Sequence, residues 1–102
     1  MKVLYVDDEL LAVRKFEAIA ATLPDVTELH CFTSPAEALA YVNIAAVDAA
    51  FLDIEMPGMR GIDLAAEMLR VDPGTRIFFV TAYDRSPLDA FGVNAPGYLL
   101  TP

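Results

Sequence analysis

The 102-residue sequence predicts an α/β domain built on a doubly wound, five-stranded parallel sheet. Three observations lead there. Short β-rich apolar runs alternate with longer amphipathic ones, the pattern of repeated βα units joined by short right-handed connections. Ala49 to Leu52 is an apolar run, as in a central strand covered on both faces. Hydrophobic residues make up 56% of the chain and mean hydropathy is +0.44, which again favours helices on both sides of the sheet. The length fits one domain.

Lys2 to Val6 is a β-rich run ending at Asp7-Asp8 and reads as the first strand. Glu9 to Leu23 reads as a helix, because Ala12, Phe16, Ile19 and Leu23 recur at the spacing of one helix face. Pro24 and Asp25 close it, and Val26 to Phe32 reads as the second strand. Thr33-Ser34-Pro35 supplies a cap followed by proline at the first helical position, with Glu37 three residues after Ser34 as in a capping box. That helix runs to about Asn43. Ala49 to Leu52 is the third strand, Met56-Pro57-Gly58 a loop, and Gly61 to Val71 a helix stopped by Asp72-Pro73-Gly74. Arg76 to Val80 is the fourth strand, Asp84 to Gly92 a shorter helix, and Tyr98 to Leu100 the fifth strand. The pattern alone does not give the order of the strands.

Charge narrows the function classes. Lys and Arg total 7 against 15 Asp and Glu, a formal charge of −8. A duplex nucleic-acid binder needs a basic face, so direct DNA binding by this segment is not expected. An acidic chain is better suited to a divalent cation or a basic partner surface. No apolar run approaches the ~18 residues of a membrane span, and no basic region followed by an apolar stretch opens the chain. The single Cys31 has no internal disulfide partner, which suits a reducing cytoplasm, and it reads as strand or core filler.

Polar residues with chemical potential gather at the carboxyl ends of the strands. Asp7 and Asp8 follow the first strand, Asp53 ends the third, Thr81 follows the fourth and Thr101 the fifth. In an open α/β sheet those ends border the ligand crevice. Three carboxylates converging there repel one another by ~4 kcal/mol per pair at ~4 Å and an effective dielectric near 20, less where solvent enters. A cation relieves this, and all-oxygen ligands select a hard ion such as Mg²⁺. Asp53 would then be the nucleophile of an aspartyl phosphate, with Thr81 bonding a phosphoryl oxygen. Taken singly, each residue also fits a structural role: Asp7-Asp8-Glu9 as a helix N-cap, Asp53 as a turn former, Thr81 as strand filler. The grouping at one edge is what favours chemistry. A free-standing enzyme is a weaker reading. An aspartate-nucleophile phosphatase wants a second aspartate where Glu55 stands, Asp7-Asp8-Glu9 would repel a flavin phosphate, and the lone His30 lies within a strand.

These residues carry a resemblance to the receiver domains of bacterial two-component response regulators, over essentially the whole chain. The matching segments are Val6-Asp7-Asp8-Glu9, Asp53-Ile54-Glu55-Met56-Pro57-Gly58-Met59-Arg60-Gly61 and Val80-Thr81-Ala82. The run Asp-x-x-Met-Pro-x-Met-x-Gly is the specific one. Thr81-Ala82-Tyr83, Ala90 to Ala95 and Tyr98-Leu99-Leu100 resemble the subgroup in which a LytTR-type DNA-binding domain follows the receiver. The resemblance implies a flavodoxin-like sheet of order 2-1-3-4-5. It implies a phosphoacceptor in signal transduction rather than an enzyme with its own substrate, with Asp53 taking the phosphoryl group from a histidine kinase or a small phosphodonor. Asp8, Asp53 and the main-chain carbonyl of Glu55 would ligate Mg²⁺, Asp7 would act through water, and Thr81 and Tyr98 would be the switch residues.

Three departures from the family pattern bear on function. Thr101 stands where the family has a lysine, and a hydroxyl brings no countercharge to a phosphoryl group of roughly −1.5 to −2 charges. Pro96-Gly97 replaces a bulkier pair at the start of the fifth strand. The chain ends at Pro102, before the family's fifth helix. Without that helix, the first helix and fifth strand are expected to expose apolar surface that a second copy covers. In family members the face formed by the fourth helix, fifth strand and fifth helix pairs with another copy; here the fourth-helix and fifth-strand side, or exchange of elements, is the expected route to a homodimer. Thr101 also supports an alternative, a receiver fold that acts as an interaction module without phosphorylation.

Overall fold

The computed structural model describes residues 1–81 and 97–100. Five parallel strands form one sheet in the order β2-β1-β3-β4-β5. They are β1 (Lys2–Val6), β2 (Glu28–Phe32), β3 (Ala49–Asp53), β4 (Arg76–Thr81) and β5 (Gly97–Leu100). Three helices alternate with the first four strands: α1 (Leu10–Ala20), α2 (Pro35–Val42) and α3 (Gly61–Val71). The helix expected over Asp84 to Gly92 lies outside the described residues, as does Thr101.

Strand order reverses at β1: the chain steps outward from β1 to β2, then crosses back to β3 and continues to β4. Right-handed crossovers in opposite directions put their helices on opposite faces. The core accordingly falls into two clusters. On one face α2 and α3 bring Ala38, Leu64 and Met68 against Leu4, Leu52 and Phe79. On the other, Val13 and Phe16 of α1 pack with Tyr5, Val80 and Phe51. β3, central in the sheet, is the apolar run anticipated at Ala49 to Leu52; Ala49, Ala50 and Leu52 are buried and Phe51 is half-buried.

The first helix is shorter than its periodicity predicts. It stops at Ala20 rather than Leu23, because Thr22 and Leu23 turn with i→i−3 bonds to Ile19 and Ala20, both 3.0 Å. The Thr22 hydroxyl also donates to the Ile19 carbonyl at 2.7 Å, and Pro24 disfavours a helical Leu23. Val13 and Ala20 are the buried residues of α1, while Ile19 and Leu23 stand 59% and 49% exposed. β2 starts at Glu28, two residues later than expected. Val26 N–H closes the preceding turn onto Leu23, while Thr27 is tied to Met1 by its main chain and hydroxyl. The Ser34 cap forms as the motif predicts: Glu37 N–H donates to Ser34 Oγ at 3.3 Å, with Pro35 in the first turn. Among the described residues no helix is long and apolar enough to cross a membrane.

Candidate metal centre

Register brings the acidic residues together. Val6 on β1 pairs with Leu52 on β3, so Asp7 and Asp53 leave the sheet side by side at its carboxyl edge. One oxygen from each of Asp7, Asp8 and Asp53 lies within 4.8 Å of the other two. Asp8 is exposed, Asp53 half-buried and Asp7 buried, at 6% exposure. Burial, followed by the negative charges of Asp7 and Asp8, pushes the Asp53 carboxyl up to about 7, against which the main-chain N–H of Glu55 pulls down. A carboxyl so raised marks a pocket with more negative charge than its solvation supports. Three hard oxygen donors within reach of one ion, one of them open to solvent, fit a divalent cation of the Mg²⁺ type.

Of the N-cap reading of Asp7-Asp8-Glu9, only Glu9 holds by position. Glu9 is the N-cap of α1 and makes no side-chain cap bond. Asp7 instead takes two internal donors: Glu9 N–H at 3.0 Å on Oδ1 and the Tyr5 phenol at 2.8 Å on Oδ2. Tyr5 was not foreseen as part of the site. Strand alternation was the available signal, since residues two apart on β1 point to the same face. Burial and the Asp7 carboxylate hold the phenol far above the ordinary tyrosine range, so it is a permanent donor.

The loop after Asp53 explains the fixed residues of its motif. Ile54 and Met56 are buried and Met59 packs on the same core cluster, which anchors the loop at both ends. Gly58 has φ +86°, a conformation that side-chain-bearing residues rarely adopt. Gly61 opens α3 with its N–H bonded to the Ile54 carbonyl at 2.9 Å. A Cβ there would sit 2.0 Å from the Asp53 carbonyl oxygen, so only glycine lets the helix begin against the end of β3. Glu55 borders the pocket through its main chain.

For Thr81 and Tyr98 the description is of backbone register. Val80 pairs with Asp53, so Thr81 is the next residue along the adjacent strand, and Tyr98 pairs with Phe79 one strand further out. Cys31 is half-buried beside the Tyr5 cluster, and burial pushes its thiol up to about 11, as expected of a filler. His30 lies on the edge strand β2, bonded to Glu28 and stacked on Tyr41 at 4.7 Å.

A doubly wound sheet of this order with an acidic trio at its β1/β3 edge defines a phosphoacceptor class, and the chain belongs to the response regulator receiver domain family, whose model matches residues 3–102. It is 38% identical over 102 residues to the sensory transduction protein LytT of Enterococcus faecalis, covering 100% of this chain and 42% of that protein. The response regulatory domain of protein mrkE from Klebsiella pneumoniae superimposes with a TM-score of 0.86 at 31% identity, over 100% of this chain and 84% of that one. The response regulator TrrA of Thermotoga maritima, crystallised with Mg²⁺ and BeF, matches with a TM-score of 0.81 at 29% identity, over 100% and 88%. LytT is a name of the subgroup that the Thr81 to Leu100 segment resembles. The chain is thus a receiver domain of two-component phosphorelay signalling, the type of domain that histidine kinases phosphorylate.

Proposed function

We propose that Asp53 is the phosphoacceptor, taking a phosphoryl group from a histidine kinase with Mg²⁺ bound beside it. The observation that carries this is the convergence of Asp7, Asp8 and Asp53 within 4.8 Å. Asp8, Asp53 and the Glu55 carbonyl would hold the ion, and Asp7 would reach it through water. Bound there, Mg²⁺ would supply positive charge to offset the carboxylates and the phosphoryl oxygens. An Asp53 carboxylate oxygen bonds to phosphorus as the P–N bond of the donor phosphohistidine breaks, and the leaving imidazole takes a proton from solvent. Thr81, next along β4 from the partner of Asp53, would donate its hydroxyl to a phosphoryl oxygen, and Tyr98 would respond as the switch aromatic. A second copy of the chain is the proposed partner on the β5 side, and the cytoplasm the proposed compartment.

Acetyl phosphate with Mg²⁺, read by intact mass, tests this. The expected result is one added phosphoryl group that is lost in Asp53→Ala and on chelation. No adduct with acetyl phosphate or phosphoramidate would sink it. That outcome would select a second reading, an interaction module independent of phosphate, which Thr101 in place of the family's lysine favours.

A further inference from the structure

Both oxygens of Asp7 are already committed within the protein. Oδ1 accepts from Glu9 N–H at 3.0 Å and Oδ2 from the Tyr5 hydroxyl at 2.8 Å. The first bond ties Asp7 to the loop that follows it. The second ties it to the core, and Tyr5 has no freedom of its own: it is 1% exposed and stacks on Phe16 at 4.2 Å and 9°. Phe16 in turn packs on Phe51 at 5.0 Å, and Phe51 stacks on Phe78 at 4.8 Å. An aromatic series therefore runs from the acidic pocket across β3 to β4.

We infer that Tyr5 is a positioning residue for the metal centre, clamping the Asp7 carboxylate so that it serves the ion from the outer sphere and leaves the inner positions to Asp8 and Asp53. With each oxygen accepting one of these bonds, the carboxylate is not free to rotate onto an ion with both oxygens, while its charge would still face the pocket. Outer-sphere partners that orient metal-binding groups carry much of a site's affinity. The strand puts the hydroxyl where it is needed, because Asp7, the residue after β1, lies two positions from Tyr5 and so continues the alternation on its face. A phenylalanine would preserve the stacking on Phe16 and remove the clamp alone.

This inference rests on the proposed metal site, and the experiment separates the two. Mg²⁺ and Mn²⁺ titrations by calorimetry compare the wild-type chain with Tyr5→Phe, Asp7→Asn and the double variant. The expected result is about tenfold weaker binding in Tyr5→Phe, the lower end of outer-sphere effects. On the Asp7→Asn background the same change should have no further effect, as a double-mutant cycle requires of residues acting through one another. Ion binding should also perturb the near-ultraviolet tyrosine difference spectrum of the wild type, and Tyr5→Phe should lose that signal. A purely structural role would lower the melting temperature without moving it. Unchanged or tighter binding in Tyr5→Phe, or an equal loss on both backgrounds, would overturn the inference. Failure of the wild type to bind either ion would instead refute the metal site itself.

Discussion

At the residue scale, Asp53 carries the energetics of the site. Its carboxyl moves from an ordinary 3.8 to about 7 because it is partly buried beside two like charges. The folded chain therefore keeps a proton that the unfolded chain releases. The stability linked to that proton is fully present below about pH 4 and is lost as pH rises through 7. Asp53→Asn removes this dependence. Because the group is half in solvent, the gain is discounted to on the order of 1 kcal/mol, or about 4–8 °C in melting temperature. Thermal unfolding in chelator should show the variant more stable than wild type at pH 8 and equal to it near pH 4. Added Mg²⁺ should then stabilise the wild type and not the variant. An asparagine variant that melts no higher at pH 8 would mean that the three carboxylates are not under mutual strain.

At the scale of elements, the decisive junction is the one between β3 and α3. The helix starts with its first residue against the strand's last carbonyl, and the space left for a side chain is negative: 2.0 Å to an oxygen. Gly61→Ala must push α3 away from β3, disturbing Ile54 and Met56 together with the Asp53 backbone. The expected cost is about 3 kcal/mol, in the range of overpacked cores, and chemical denaturation would measure it. Gly58→Ala is the control, because nothing lies within 4 Å of its added carbon and only its positive φ opposes the change. It should cost about 1 kcal/mol. Equal losses at the two glycines would argue against the close approach. The elements themselves were legible in the sequence: α3 matches its predicted bounds, and the strand ends agree within two residues. The Ser34-Pro35 cap was readable because all its partners lie within three residues.

For the molecule as a whole, the two faces of the sheet differ. Among the described elements α2 and α3 cover one face and α1 alone the other. Five strands at ~4.8 Å spacing span roughly 19 Å, while a helix is about 10 Å across. Phe51 and Phe78 on the α1 face are only partly buried, and Ile19 of α1 and Leu23 of the turn after it are exposed. Such a face favours association, whereas a charge of −8 opposes it through repulsion that salt screens. Sedimentation velocity of this chain should therefore show a monomer at low salt shifting toward a dimer as salt rises. A single monomer species throughout would contradict the dimer proposed above.

The sequence alone determined the alternation of strand and helix, the turn and cap chemistry, and which acidic residues end the strands. Those are decided by propensities and bonds acting over a few residues. Which strands become neighbours was decided only in three dimensions. With β1 beside β3, Asp7 and Asp53 share a pocket although 46 positions separate them (53 − 7). The same holds for the close approach of Gly61, the Tyr5 bond to Asp7 and the exposure of Ile19. Periodicity marks a surface as apolar, but burial and charge repulsion depend on which distant segment arrives to meet it.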